Sequence, residues 1–263
     1  MGRIIGVCNQ KGGTGKTTTA INISSYLGLA NKKTLLIDMD PQGNATSGTG
    51  IEGEGKNSIY DVITGYADIK ESIYPTKWPE LSILPAHISL TGGEVELVQS
   101  ENRELRLKAA LDKIREDFTY IIIDAPPSLG LLTVNVLAAA DSLIIPIQCK
   151  YYALEGVSKL MHTVKIIKER LNPYLNIEGV LLMMADFRTR LSLQVIEEVR
   201  NFFKEKTFNT IIPRNIRIAE APSFGQPIYF YDPICVGAKA YLNLAEEIIK
   251  EKIEPEVLAK EEI

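Results

Sequence analysis

The stretch of sequence that decides the fold is "QKGGTGKTTT", residues 10–19. It follows a short apolar run at residues 3–8 and opens a segment whose apolar residues recur with helical spacing. Closely spaced glycines let backbone N–H groups approach phosphate oxygens without a Cβ in the way. A strand, a glycine-rich loop and a helix in this order predict a phosphate-binding loop at a helix N-terminus, where the helix dipole favours anions.

The side chains of this loop have distinct expected tasks. Lys16 is expected to reach the β- and γ-phosphates of a nucleotide, and the Thr17 hydroxyl is expected to hold Mg²⁺. The other residues predicted to bind the nucleotide are Lys11, Gly12, Gly13, Thr14, Gly15 and Thr18.

Two departures from the usual pattern make this a deviant phosphate loop. The usual pattern has glycine five residues before Gly15, where this chain has Gln10, and a second lysine, Lys11, stands at the loop entrance. Because Lys11 precedes the glycines, its side chain could point away from its own phosphates and complete the site of a second, facing copy. The alternative interpretation is a solvated surface lysine.

Carboxylates follow two further predicted strands. The segment "LLIDMDPQGNATSG" at residues 35–48 places Asp38 and Asp40 at the end of one strand, and "YIIIDAPPS" at residues 120–128 places Asp124 at the end of another. Ligands of open α/β sheets bind at the carboxyl ends of the strands. The three carboxylates are therefore expected beside the phosphate loop, with Asp124 placed to hold Mg²⁺ through water.

The order of the predicted elements indicates the fold class. Short β-branched runs alternate with segments of helical periodicity, and runs that are apolar on both faces imply strands covered on both sides. We predict one α/β domain with a single doubly wound, mostly parallel sheet and helices on both faces. The predicted strands are 4–8, 34–38, 81–84, 120–124, 142–147, 179–183 and 210–212.

The predicted domain covers residues 1–252. Its final helix is predicted at residues 238–252, and residues 253–263 are predicted to form an acidic, frayed tail. With 263 residues, 45% of them hydrophobic and 24% charged, the chain has the size and composition of one globular domain.

Charge and hydropathy narrow the classes of partner. A net charge of −4 provides no global attraction for nucleic acid, so any DNA contact needs a local basic patch. No apolar stretch approaches the roughly 20 residues that span a bilayer. The first strand begins by residue 3, which leaves no room for a signal peptide, so we expect a cytoplasmic protein.

The three cysteines are far apart and none belongs to a C-x-x-C pair. This spacing indicates neither a disulfide framework nor a metal cluster, and we expect three buried thiols. They are Cys8, Cys149 and Cys235.

The motifs resemble those of the ParA/MinD class of deviant-Walker ATPases. The resemblance rests on K-G-G-T-G-K-T-T at 11–18, D-M-D-P-Q-G-N-A-T at 38–46 and I-I-I-D-A-P-P-S at 121–128. The chain looks most like the chromosomal ParA proteins also called Soj, which "SLGLLTVNVLAAADSLIIPIQCKYYALEG" at 128–156 and "IPRNIRIAEAPSFGQPI" at 212–228 also match. The resemblance extends from residue 3 to about residue 250.

This resemblance implies slow, partner-stimulated hydrolysis of ATP in the presence of Mg²⁺, by an ATP-dependent sandwich homodimer. Lys11 would be the signature lysine that crosses the interface to the phosphates of the other subunit. Asp40 would help to position the attacking water, while Asp38 and Asp124 would support the Mg²⁺ shell. Related proteins hold adenine with the I-P-R-N segment, so Pro213 and Asn215 become candidates here. Pro213 could equally be a simple strand terminator.

The resemblance also implies non-specific binding of double-stranded DNA by the ATP dimer. Related proteins use arginines in positions that correspond to Arg188 and Arg217, and the region 186–217 is basic in an otherwise acidic chain. Its other cations are Arg190, Arg200, Lys204, Lys206 and Arg214. Relatives often have arginines in a D-P-R-S-R-G-A stretch, where this chain reads "DPICVGA" at 232–238, so DNA affinity is expected to be lower or differently placed.

The expected function is chromosome or plasmid partition with a ParB-like centromere-binding partner, with the ATP-bound protein on the nucleoid. One alternative is a ParA-like positioner of another cargo, which has the same nucleotide chemistry.

A MinD-like membrane-cycling regulator of the division site is disfavoured, because the C-terminal segment is rich in glutamate instead of basic. A metal-cluster carrier would need a cysteine pair near residues 90–150. Only nine residues precede Gln10, so an operator-binding domain is not expected there.

Overall fold

This computed structural model describes residues 1–150 and 155–253, without the side chains of residues 94, 95, 155 and 156. An eight-stranded sheet forms its centre, in the order β3-β4-β2-β5-β1-β6-β7-β8. The strands are β1 Arg3–Val7, β2 Thr34–Asp38, β3 Tyr74–Pro75, β4 Leu81–Leu84, β5 Tyr120–Asp124, β6 Ser142–Gln148, β7 Asn176–Ala185 and β8 Thr207–Pro213.

Helices cover both faces of the sheet, each face over its own hydrophobic core. They are α1 Lys16–Leu29, α2 Asn44–Gly48, α3 Ile59–Thr64, α4 Leu90–Val98, α5 Arg106–Leu111, α6 Leu131–Ala139, α7 Glu155–Arg170, α8 Arg190–Phe203, α9 Ile216–Glu220, α10 Ile228–Tyr231 and α11 Val236–Ile249. Successive strand residues alternate between the cores: Leu35 and Ile37 pack on one side and Leu36 on the other. This alternation explains the continuous apolar runs of the sequence and confirms the predicted doubly wound sheet.

The sheet is parallel except at one edge, where β3 runs antiparallel to β4. All seven predicted strands are present, with boundaries shifted by a few residues, and β3 is the strand that the sequence did not predict. It consists of Tyr74 and Pro75 alone. Two residues are too few to show an alternating pattern, and proline is tolerated here because an edge strand has free N–H positions.

The last described helix ends earlier than predicted. Helix α11 stops at Ile249, and Lys250 adopts a left-handed conformation with φ of 60° at its C-terminus. Such a residue ends a helix by turning the chain out of the helical path. Ile253, which the prediction assigned to the tail, is buried in the core beneath α11. The rest of the predicted tail, 254–263, lies outside the described residues.

The cysteine prediction holds for two of the three thiols. Cys8 and Cys149 are buried, but Cys235 is only half-buried. Its Sγ accepts a hydrogen bond from the N–H of Ala238 at 3.3 Å, at the start of α11. Cys235 therefore serves as a helix cap at the start of α11.

Parallel pairing brings the site residues to one edge of the sheet. Strands β1, β2 and β5 are neighbours, so their carboxyl ends lie side by side. Asp124 is the pairing partner of Asp38 in β2 and of Val7 in β1, just before the phosphate loop. Among the described residues, no helix has both the length and the apolar character that a membrane span requires.

Candidate active site

The phosphate loop requires glycine at its last turn. Gly15 has φ of 89° and immediately precedes α1, which begins at Lys16. A Cβ at Gly15 would lie 2.5 Å from Cε of Met183. Both the left-handed backbone and the close side chain explain why glycine occupies this position.

A buried asparagine holds the entrance of the loop. The Asn9 amide donates to the carbonyl of Pro146 in β6 at 2.6 Å, and its Oδ1 accepts from the N–H of Lys11 at 3.0 Å. Asn9 thereby fastens the loop to a neighbouring strand. The sequence analysis did not single it out, because its partner in β6 is far away in the sequence.

Lys16 lies inside the site with only 7% of its surface exposed. Its Nζ is 3.5 Å from the carbonyl oxygen of Lys11, so the side chain folds back over the loop. Burial lowers the pKa of Lys16, and the negative charges of Asp124 and Asp40 act in the opposite direction. A buried ammonium facing the loop interior is well placed to bind an anion.

Asp124 is fully buried, and neither of its carboxylate oxygens has a hydrogen-bond partner within the described part of the chain. Burial raises the pKa of Asp124 well above its usual range, the charge of Asp38 raises it further, and the Thr17 hydroxyl and Lys16 lower it. Leaving a buried carboxylate without a partner is costly. A cation bound beside Thr17 would remove that cost.

Asp38 has a different role from Asp124. Its Oδ1 accepts from the N–H of Asp40 at 3.1 Å, and its Oδ2 accepts from both the N–H and the hydroxyl of Thr46 at 2.8 Å. Burial raises the pKa of Asp38 to about 6, although the bonds from Thr46 oppose the shift. Asp38 thus shapes the turn from β2 into α2, and its contribution to a metal shell stays a prediction.

Asp40 lines a cavity of about 620 Å³ above the phosphate loop. Its Oδ1 accepts from the N–H of Gln42 at 3.0 Å, which leaves Oδ2 without a partner among the described hydrogen bonds. The cavity is lined by Gly12, Gly13, Gly15, Lys16, Thr17, Thr18, Ile21, Asp40, Gln42, Asn44, Ser47, Pro127, Met184, Pro222 and Ser223. The structure therefore brings Asp40 and most of the predicted loop residues together around one space.

The residues present fit a magnesium ion that is only partly coordinated by protein. In the ranges that the structure describes, no three acidic, histidine or cysteine side chains are grouped closely enough to hold a metal by themselves. Mg²⁺ commonly takes one or two protein ligands and completes its shell with waters and substrate phosphates. The Thr17 hydroxyl beside the unpartnered Asp124 provides such a partial set.

Lys11 directly precedes the glycines that line the cavity but does not take part in the lining. Its side chain is exposed, and the ammonium makes no hydrogen bond or ion pair with any described residue. The backbone of Lys11 is nevertheless fixed through Asn9 and through the Thr14 hydroxyl, which donates to the Lys11 carbonyl at 3.3 Å. The exposed ammonium of Lys11 is thus carried by a fixed stretch of the loop and has no partner among the described residues.

Two predicted adenine-binding residues lie outside the cavity lining. Pro213 is the last residue of β8, where it pairs with Ala185. Asn215 caps α9, because its Oδ1 accepts from the N–H groups of Arg217 and Ile218. Their role in binding adenine stays a prediction, and the strand-terminating role of Pro213 agrees with its position.

The two predicted DNA-binding arginines are exposed and paired with carboxylates. Arg188 makes two hydrogen bonds of 2.9 Å to Asp186, and Arg217 lies 3.1 Å from Glu220 and 3.5 Å from Asp232. DNA phosphates would have to displace these carboxylates. The nearby segment 232–238 adds two large exposed apolar side chains, those of Ile234 and Val236, at positions where relatives often have arginine.

The far wall of the cavity comes from segments that the sequence analysis did not assign to it. Pro222 and Ser223 belong to a 3-10 turn after α9 that packs on α2, and two glycines just beyond these elements also contact each other. Gly50 has φ of 79° and Gly225 has φ of 63°, and a Cβ on Gly225 would lie 2.7 Å from Cα of Gly50. The sequence signal that could have identified this wall is "APSFG" at 221–225, which belongs to the stretch 212–228 that resembles the ParA proteins.

Met184 also lines the cavity, in a left-handed conformation with φ of 55°. Its Sδ is 3.0 Å from the side-chain amide of Gln148, which donates a hydrogen bond to it. A positive φ is unusual for a residue with a long side chain. No feature of the sequence indicated it.

Comparison with known proteins identifies the family of this chain. A family model described as an AAA domain matches residues 2–177. The Soj protein of Bacillus subtilis, named a sporulation initiation inhibitor, is 53% identical over 249 residues, covering 94% of this chain and 98% of that protein. The chromosome partitioning protein ParA of Myxococcus xanthus is 53% identical over 251 residues, covering 95% of this chain and 89% of that protein.

A third relative, the chromosome-partitioning ATPase Soj of Treponema pallidum, is 49% identical over 249 residues, covering 95% of this chain and 98% of that protein. Among solved structures, cobyrinic acid a,c-diamide synthase of Mycobacterium smegmatis with ADP and magnesium has a TM-score of 0.78 and 36% identity, covering 86% of this chain and 93% of that one. MinD of Pyrococcus horikoshii with Mg-ADP has a TM-score of 0.80 and 26% identity, covering 95% and 97%. By sequence and fold together, this chain belongs to the Soj/ParA family, within the ParA/MinD class of deviant-Walker ATPases.

Proposed function

We propose that this chain is an ATP-dependent switch whose ATP-bound homodimer binds DNA without sequence preference and drives chromosome or plasmid partition with a ParB-like partner. The proposal follows the partitioning relatives, which match nearly the whole chain. Its cellular location would be the nucleoid in the ATP-bound form.

The observation that carries the proposal is the placement of Lys11. An exposed cation on the fixed backbone of the phosphate loop, without a partner in the described part of the chain, is available to a second molecule. Two copies that face each other across their cavities would each supply Lys11 to the other's phosphates. Such an arrangement makes dimerisation depend on the bound nucleotide.

As a member of this family the chain is an ATPase, and ATP and Mg²⁺ are its cofactors. Mg²⁺, when bound, neutralises charge on the β- and γ-phosphates. Lys16 binds the same phosphates, and the backbone N–H groups of the loop orient them. Asp40 is placed at the cavity surface with one free carboxylate oxygen to orient the attacking water. Hydrolysis then rests mainly on positioning and charge neutralisation.

The proposed DNA-binding function can be tested with an electrophoretic shift of two unrelated duplexes at several salt concentrations. We expect binding with ATP, none with ADP or without nucleotide, equal affinity for both duplexes and loss of binding as salt rises, because phosphate contacts release counterions. Absence of any shift, with the ATP dimer shown to form, would rule out the DNA-binding part of the proposal. A strong preference for one duplex would contradict non-specific binding.

Lys11→Ala is expected to keep ATP binding and to lose the ATP-dependent dimer, because the variant retains Lys16 but lacks the cation offered to the facing subunit. Light scattering coupled to size-exclusion chromatography, with ATP and Mg²⁺ present, measures the dimer. Lys165→Ala removes another exposed lysine, on α7, and should dimerise like the unmodified protein. A stable dimer of Lys11→Ala with ATP would make Lys11 an ordinary surface lysine.

Arg217→Glu is expected to weaken DNA binding on the order of tenfold or more at low salt, and to reduce the salt dependence of binding, because a phosphate contact becomes a repulsion. Dimerisation should be unchanged. Lys165→Glu makes the same charge change on another surface and serves as the control. Unaltered DNA affinity of Arg217→Glu would remove this arginine from the DNA interface.

A further inference from the structure

A second cavity, of about 340 Å³, lies between α3 and α5. Its lining has no residue in common with the cavity above the phosphate loop. Helix α5 and the residues after it provide one wall, made of Arg106, Ala109, Ala110 and Lys113. These residues are spaced i, i+3, i+4 and i+7, so they form one helical face with two small residues between two cations.

The two cations differ in their partners. Lys113 lies 3.1 Å from the carboxylate of Asp68, another lining residue. Arg106 makes no hydrogen bond or ion pair with any described residue, and its Nε is buried without an acceptor. Buried donors in folded proteins are nearly always hydrogen-bonded, and leaving one unpaired is costly. Only Nε is enclosed, and the residue as a whole is half-buried, so the unpaired guanidinium in the cavity lining is available to an acceptor supplied from outside the chain.

The backbone beneath Arg106 is held firmly. Asn135, fully buried in α6, accepts from the N–H of Leu107 at 3.1 Å and donates to the carbonyl of Arg103 at 2.8 Å. These bonds fix both ends of the short segment that contains Arg106. A fixed backbone lowers the conformational cost of binding at this side chain.

The opposite wall is mainly apolar, apart from the carboxylate of Asp68 that Lys113 pairs with. Val62 and Ile63 of α3 are buried and line the cavity, while Tyr66, 70% exposed, stands at its rim. The volume is at the small end of the range for ligand pockets, which combine an apolar lining with a few polar groups. A planar guanidinium pairs best with a planar, doubly accepting group such as a carboxylate.

We propose that this cavity binds a small organic acid, with its carboxylate on Arg106 and its apolar body against Val62, Ile63 and Ala110. The site is separate from the nucleotide site and does not depend on the proposed partitioning function. The ligand has one carboxylate, because Lys113 is already paired with Asp68.

Titration calorimetry of the full chain with 3-phenylpropionate as the probe tests the proposal. ADP and Mg²⁺ are present at saturating concentration, so that the acid cannot bind in the phosphate loop and contribute to the measured heat. We expect saturable binding at one site, with a dissociation constant of ~1 mM or tighter for a ligand of this size. The neutral amide, 3-phenylpropanamide, is expected to bind about tenfold more weakly or not measurably.

Arg106→Gln is expected to weaken binding of the acid by about tenfold and to abolish the difference between acid and amide. Lys108→Gln is the matched control, because Lys108 is an exposed cation of the same helix outside the cavity lining, and it should change affinity far less. If Arg106→Gln fails to fold, Arg106→Lys retains the charge but loses the planar pair of donors, and an intermediate loss is expected. No saturable binding of the acid, or equal binding by the Arg106 variant, would overturn the assignment.

Discussion

Lys16→Ala is expected to abolish ATP binding, with a loss in affinity of at least about 100-fold, since charge-assisted hydrogen bonds to the phosphates disappear. The structure adds a second reason for a large effect. Asp40 lines the cavity, Asp124 is fully buried, and the charges of both carboxylates act on Lys16. Without Lys16, these carboxylates would repel the polyphosphate.

Titration with a fluorescent ATP analogue measures this loss directly. Lys165→Ala is a suitable control, because it removes an exposed lysine from α7 and leaves the loop intact. Thermal unfolding of both variants without nucleotide would establish that Lys16→Ala is folded. Undiminished nucleotide affinity of a folded Lys16→Ala protein would refute the assignment of the phosphate loop.

Asp40→Ala is expected to bind ATP and to dimerise, while its turnover falls by about 100-fold or more, the usual size of a lost positioning or general-base contribution. The reason is its location: Asp40 lines the cavity, and only one of its carboxylate oxygens is used, by the N–H of Gln42. Release of phosphate from saturating ATP, measured under single-turnover conditions, separates hydrolysis from product release.

The control for this variant is Asp112→Ala, which removes an exposed carboxylate after α5. It should hydrolyse ATP at the unmodified rate. Normal hydrolysis by Asp40→Ala would move the water-positioning role to another residue. Loss of ATP binding by the same variant would show instead that Asp40 supports the loop structure.

Much of the fold was predictable because its signals are local. The apolar strands and the helical spacing between them predicted the parallel sheet, and parallel pairing then placed Asp38 and Asp124 side by side. The two-residue edge strand β3 had no period to detect. The end of α11 depends on the left-handed backbone of Lys250, and a lysine in the sequence does not predict that conformation.

The parts of the site that belong to sequence motifs could be predicted. The loop and Asp40 carry motif signals, and they line one cavity. Asn9 and Met184 contribute through contacts between segments that are distant in sequence, so no local pattern identifies them. The different roles of Asp38 and Asp124 also depend on tertiary contacts. Only the structure shows that Thr46 donates two hydrogen bonds to the carboxylate of Asp38.

The contact between Gly50 and Gly225 has a consequence for how this sequence can vary. Both residues have positive φ, and the space that a side chain would need at either one is filled by the backbone of the other. One glycine follows the loop that holds Asp40, and the other follows the turn that closes the cavity. Neither position can accept even a methyl group unless the backbone of the other segment moves away. Substitutions in these two stretches, which are distant in the sequence, are therefore constrained jointly by one contact.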